Sequence, residues 1–216
     1  MSEVFVAVDV EATGMDPSRH EIIEVALVAF TVDAVVDVLQ TLVRPRGRLS
    51  LDIATLTGIS ATELDAAPEW SAVAGPVRRF ISGRPVVGQS PDFDLAMLTA
   101  AGVEHRGLVY DTHELAALLL PDLPAYNLAT IAAALGVVAS ESHRALADAE
   151  TTAAVFRALL GRIATYDRVT RGQLGAYAAM GGMGDLRGSG GTIPTLGPAR
   201  AGVPSHGARE LRPRAR

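Results

Sequence analysis

The sequence predicts an α/β fold, a mixed sheet of five strands flanked by helices. Residues 3–11, 22–32 and 35–44 are rich in Val, Ile, Leu and Phe. The last two runs lie too close together for a helix between them, so all three read as strands joined in antiparallel hairpins. From about residue 51 the apolar spacing turns helical, interrupted only by two short strand-like runs. The resulting order, βββ then αβα and βα, belongs to a mixed sheet with helices beside it.

The first strand, VFVAVDVEATG at residues 4–14, reads as buried on both faces until Asp9 and Glu11 interrupt it. Side chains at i and i+2 share one side of a strand, so the two carboxylates stand together. Such a pair is unfavourable unless the strand's end meets water or something positive lies between the acids. After the hairpins, helical spacing covers short pieces near 51–57 and 70–82. RPVVG then supplies a fourth strand, 91–101 a helix, LVYDT at 108–112 a fifth strand, and HELAALLL a helix stopped by Pro121. Asn127 caps a short helix that Gly136 ends. Residues 144–163 form the longest helical pattern. One domain over 1–165 follows, with an extra helix at 166–180 and a Gly-, Pro- and Arg-rich tail over 181–216 expected to be disordered.

With 216 residues, 49% hydrophobic and 20% charged, the chain can bury a core of its own. Cysteine is absent, which excludes disulfides, thiolate metal sites and cysteine nucleophiles; metal chemistry must use oxygen or imidazole ligands. Glu3 stands where a secretory signal carries positive charge, and no apolar run is long enough to cross a bilayer. A cytoplasmic protein with no membrane partner is the expectation. All 19 basic residues are arginine, and the net charge of −5 argues against electrostatic coating of nucleic acid. It leaves room for an enzyme that grips a few nucleotides at one end.

Two further acids lie on apolar stripes. On the long helix, Asp148 aligns with Thr152, Val155 and Leu159; on the helix at 91–101, Asp94 aligns with Leu98 and Ala101. Asp92 does not share that stripe and suits a helix start. Taken singly, each inward acid has a plain explanation, such as pairing of Asp148 with Arg144 one turn earlier. Taken together, Asp9, Glu11, Asp94 and Asp148 are four carboxylates that a core does not tolerate unpaired. Divalent metal satisfies them most simply, and an all-oxygen set selects Mg2+ or Mn2+ over Zn2+. Two such ions about 3.5–4 Å apart form the arrangement used for in-line attack on phosphodiesters.

His143 precedes Asp148 by five residues, which on one helix would place it roughly 140° around the axis. It therefore belongs to the loop or first turn, where an imidazole is suited to take a proton from an attacking water. His20, His105, His113 and His206 read as ordinary surface histidines.

With these residues assembled, the chain resembles the DnaQ-like DEDDh 3'→5' exonucleases, the family of the proofreading epsilon subunit of bacterial DNA polymerase III. The resemblance covers residues 3 to about 162. Its motifs are VDVEATG with Asp9 and Glu11, VGQSPDFDLAML with Asp94, and HRALADAE with His143 and Asp148. The histidine separates this branch from the one that uses tyrosine.

The resemblance implies an RNase H-like fold with two catalytic divalent cations, Mg2+ or Mn2+. Asp9, Glu11 and Asp148 would hold one ion, Asp9 would bridge to the second, Asp94 would support that second ion, and His143 would be the general base. Thr13 and Gly14 would present backbone groups to the 3'-terminal nucleotide, and Met15, where the family often has leucine, would pack on its base. LTGIS at 56–60 matches a segment that wedges the terminal bases, making Leu56 and Ile59 candidate contacts. One departure is Gly88-Gln89-Ser90 in place of the usual Gly-His-Asn, which implies altered rate or substrate placement with the metal ligands intact.

The implied substrate is a single-stranded or frayed 3' end of DNA, cleaved to nucleoside 5'-monophosphates in replication proofreading or repair. RNA is the alternative substrate, and an inactive scaffold for a polymerase or helicase is the competing reading. The intact set of five polar residues favours the enzyme. QLGAY at 173–177 is loosely similar to the peptides that dock on a sliding clamp, although a plain helix end explains it better.

Overall fold

The structure, a computed structural model, describes residues 3–139 and 144–166, together with the backbone of 209–210. His143, most of the 166–180 segment, the QLGAY stretch and nearly all of the tail lie outside the described residues. The three hairpin strands are β1 (Phe5–Ala12), β2 (Ile22–Phe30) and β3 (Val35–Leu42). Helices α1 (Leu51–Thr57), α2 (Ala61–Asp65) and α3 (Trp70–Ile81) follow, and then β4 (Val86–Gly88), α4 (Asp92–Ala100), β5 (Val109–Asp111), α5 (Thr112–Leu119), α6 (Leu128–Ala134) and α7 (Ala145–Ala164). Of these elements the sequence reading omits α2, whose capping box (Ser60 with Glu63) starts a helix of five residues, too short to show a period.

The strands run in the order β5-β4-β1-β2-β3, with β1, β2 and β3 antiparallel in sequence and β4 and β5 parallel to β1. This is the mixed five-stranded RNase H-like sheet. A two-residue strand, β6 (Arg209–Glu210), pairs in parallel with Leu39 and Gln40 at the β3 edge and extends it to six. Two polar residues carry no periodicity from which a strand could be read.

Both faces of the sheet are covered, which is why β1 and β2 are apolar almost throughout. On one face Phe5 and Ala7 join Ala26, Val28 and Phe30 under α5, α6 and α7. On the other, Val6, Val8 and Val10 pack with Val73, Val77 and Leu98 from α3 and α4. The rings of Phe5, Phe30 and Phe156 meet edge-on or stacked, locking α7 to the sheet. Arg157 on α7 donates to the carbonyls of Val32 and Asp33 in the β2–β3 turn, fixing the helix along its length. Among the described residues no helix is long and apolar enough to cross a membrane.

Candidate active site

Strand alternation decides where the first two acids point. Asp9 and Glu11 share the parity of Phe5 and Ala7, so both face α7, while Val8 and Val10 face α3 and α4. The β1–β2 register shifts immediately beyond them, Glu11 lying opposite Glu24 and Ala12 opposite Ile22, which leaves Ile23 of β2 as the extra residue. Asp148 lies in the first turn of α7. One carboxylate oxygen each from Asp9, Glu11 and Asp148 lies within 4.8 Å of the others.

Asp94 reaches the same strand from α4. The Val6 N–H points toward β4 and bonds the carbonyl of Pro85, so the Val10 N–H, four residues along, points to the same edge. By then β4 has ended at Gly88. Asp94 Oδ1 takes the missing partner's place, accepting from Val10 N at 2.9 Å. A buried carboxylate thus satisfies a buried donor and stands beside Asp9.

The electrostatics follow from burial and like charge. Burial, then repulsion from Asp94, Asp148, Glu11 and Glu24, raises the Asp9 pKa well above its ordinary value. Glu11 is pushed up to about 7 by burial and by Glu24 and Asp148, against a lowering pull from Arg144. Burial raises Asp94 to about 7, opposed by its backbone hydrogen bonds, with Glu11 adding repulsion. Close, partly desolvated carboxylates that resist ionisation are a donor set that fits a hard divalent cation, which would replace their bound protons.

The sequence reading missed Glu24. It sits on β2 directly opposite Glu11 and is 0% exposed. Its carboxylate accepts from Arg144 Nε and Nη2, both at 3.1 Å, from Ala145 N at 3.2 Å and from Gln40 Nε2 at 2.7 Å. The Arg144 guanidinium therefore binds Glu24, a partner the one-turn spacing to Asp148 does not suggest. One acid inside the apolar run IIEVALVAF was the available signal, because a strand covered on both faces has no exposed side for it.

Beyond the acids, Thr13 and Glu21 close the β1–β2 connection: Thr13 N donates to the Glu21 carbonyl, and Glu21 N to Thr13 Oγ1. Gly14 lies against the His20 ring, where an added Cβ would come within 2.5 Å of Nε2. Met15 is 77% exposed and Leu56 54%. Ile59 is 1% exposed and packs with Ile23 and Leu64. The left-handed φ of 68° at Gly58 makes the turn between Leu56 and Ile59, and the two side chains part there, Leu56 outward and Ile59 into the core.

Gln89 and Ser90 are held by the neighbouring loop. Gln89 Nε2 donates to the Tyr126 carbonyl at 2.7 Å, and its Oε1 accepts from Thr112 Oγ1 at 2.6 Å. Ser90 has a φ of 55°, and its N–H donates to Asp111 Oδ1, which also caps α5. His143 lies outside the described residues; its chain neighbour Arg144 is the residue that Glu24 holds.

Comparison with known proteins agrees with this arrangement. The family described as Exonuclease matches residues 6–156. The DNA polymerase III subunit epsilon of Aquifex aeolicus is 32% identical over 161 residues, 72% of this chain and 80% of its own length. The PolC-type DNA polymerase III of Caldanaerobacter subterraneus is also 32% identical over 74% of this chain, which spans only 12% of that polymerase. Among solved structures, E. coli Exonuclease I with a dT13 oligonucleotide aligns with a TM-score of 0.66 at 18% identity, covering 83% of this chain and 44% of that one. Exonuclease X in complex with 5' overhanging duplex DNA aligns with a TM-score of 0.62 at 22% identity, covering 73% and 91%. The family match spans all three acid-bearing elements, and the chain belongs to the exonuclease family, together with DNA polymerase III epsilon.

Proposed function

We propose that the protein is a metal-dependent 3'→5' exonuclease that removes nucleoside 5'-monophosphates from single-stranded or frayed 3' ends of DNA. The observation that carries this reading is the convergence of Asp9, Glu11 and Asp148 within 4.8 Å, with Asp94 held beside them. Asp9, Glu11, Asp94 and Asp148 would hold two divalent cations, Mg2+ or Mn2+. When bound, the ions supply Lewis-acid polarisation of the phosphodiester and a lowered pKa for water. His143 takes the proton of the attacking water on its imidazole. Thr13 and Gly14 offer backbone groups to the terminal nucleotide, Met15 and Leu56 bear on its base, and Ile59 backs the Leu56 turn.

DNA is favoured over RNA because the similar relatives are DNA polymerase III subunits and the similar solved structures hold DNA. The same relatives support a role in replication beside a DNA polymerase.

Matched 5'-labelled DNA and RNA oligonucleotides, incubated with purified protein and Mg2+, Mn2+ or EDTA, test the reading. The expected result is a ladder that shortens from the 3' end of DNA with either metal and not in EDTA. Faster shortening of RNA overturns the substrate assignment, and no shortening of either overturns the activity.

A further inference from the structure

Helix α7 begins without a side-chain cap of its own: Arg144, in the capping position, makes no such bond. The first N–H groups of a helix need partners, and carboxylates are favoured there. The partner here comes from another element. Glu24, fully buried on β2 and 121 residues away in sequence, accepts from Ala145 N. The same carboxylate takes the Arg144 guanidinium in a two-point fork and is completed by Gln40 from β3. Each Glu24 oxygen therefore has two donors, and the group has no lone-pair site left for a metal.

The consequence reaches the acid cluster through the helix. The Arg144 carbonyl accepts from Asp148 N at 3.1 Å, the first bond of α7, so the residue that Glu24 grips is the one from which Asp148 is built. Glu24 also sits opposite Glu11 in the β1–β2 register, so one strand pair carries both a metal-facing acid and the anchor of the helix that bears another. Helix geometry, strand register and the fork leave Asp148 little freedom to move relative to Glu11.

We propose that Glu24 is a positioning residue. Through Arg144 and Ala145 it fixes the start of α7 against β2, so that Asp148 completes the cluster with Asp9 and Glu11, while its fork keeps the Arg144 guanidinium from occupying that cluster. This rests on the exonuclease reading above for its kinetic consequences, and on the structure alone for its metal-binding consequence. A packing role without positioning would lower thermal stability and leave both untouched in the folded protein.

The test uses full-length wild type, Glu24→Gln and Arg144→Lys. The glutamine keeps the size and one acceptor but gives up the charge; the lysine keeps the charge but gives up the planar fork. Folding is checked by circular dichroism, and Mn2+ alone is titrated calorimetrically well below each melting temperature. Both variants are expected to bind Mn2+ about 10–100-fold more weakly, although neither substituted residue is a ligand. On a labelled DNA oligonucleotide, kcat should fall by a similar factor with KM held within about threefold. Arg106→Ala, which removes an exposed pair with Glu104 away from the cluster, serves as the unaffected control. Wild-type Mn2+ affinity and kcat in a folded Glu24→Gln protein overturn the proposal; if that variant does not fold, the same result in Arg144→Lys does so. Absence of nuclease activity in the wild type would count against the exonuclease reading only, because the Mn2+ titrations still decide the role of Glu24.

Discussion

Asp94 Oδ1 accepts a hydrogen bond from the backbone N–H of Val10 at 2.9 Å, where the neighbouring strand β4 has already ended. An acid on a helix thereby completes the hydrogen bonding of the central strand at the point where that strand carries its own acids. The carboxylate has two separable duties, and substitutions distinguish them. Asp94→Asn keeps an oxygen acceptor for Val10 and should retain the fold, whereas Asp94→Ala leaves a buried donor unpaired and should be less stable than Asn by about 1–3 kcal/mol. Both should lower divalent-dependent nuclease activity roughly 100-fold. Chemical denaturation alongside oligonucleotide cleavage checks both halves; equal stability of the two variants would contradict the structural duty.

The same burial makes the metal-free protein sensitive to pH in a stated direction. Glu11 is held at about 7 against an ordinary 4.5, and Asp94 at about 7 against 3.8. Between those limits the folded chain binds more protons than the unfolded chain, so these groups make unfolding easier as pH rises from the unfolded values through about 7. In EDTA, thermal melts of the wild type should therefore lose stability across this window more steeply than melts of Glu11→Gln. Added Mg2+ or Mn2+ should stabilise the protein more above the window than below it, because protons compete for the same oxygens. A steeper loss in Glu11→Gln would contradict the assignment.

Gly14 has no room for a side chain. The Cβ of Gly14→Ala would meet the His20 ring at 2.5 Å, so this variant should lose about 1–3 kcal/mol of stability or displace the Thr13–Gly14 backbone. His20→Ala in the same chain should recover most of the lost stability, since the three atoms nearest the added Cβ all belong to that ring. A double-mutant cycle by denaturant melts measures the coupling.

Ser90 occupies a left-handed conformation, φ 55°, that favours glycine or asparagine. Ser90→Gly should raise stability by about 0.5–1 kcal/mol without touching an acid of the cluster, and Ser90→Asn should behave similarly. Denaturation midpoints decide it, and a destabilised Ser90→Gly would show that the serine side chain contributes something the hydrogen bond from its N–H to Asp111 does not reveal.

The legible and illegible parts of the site differ for physical reasons. Asp9 and Glu11 declare themselves because a period-2 strand assigns both to one face, and Asp94 and Asp148 because a helical stripe turns them toward apolar neighbours. Glu24 escapes the same reasoning: its meaning depends on register, on lying opposite Glu11 and beneath Arg144, and pairing between distant segments leaves no local trace. Arg144 invites pairing with Asp148 on spacing alone, yet a buried carboxylate with a vacant fork position is the stronger partner. Likewise LTGIS reads as one contact segment, but Gly58 turns the chain so that Leu56 and Ile59 part company, one outward and one into the core. The short α2 and β6 lack enough residues to show a period.

Whether Asp9, Glu11 and Asp148 work as a single metal-holding group is decided by Asp9→Ala. The folded variant and the wild type are incubated with a uniformly labelled single-stranded DNA oligonucleotide in Mg2+, and nucleoside 5'-monophosphate release is followed. Wild type should release mononucleotides progressively from the 3' end, and Asp9→Ala should release none above the EDTA background. Persistent release by a folded Asp9→Ala protein would contradict the site.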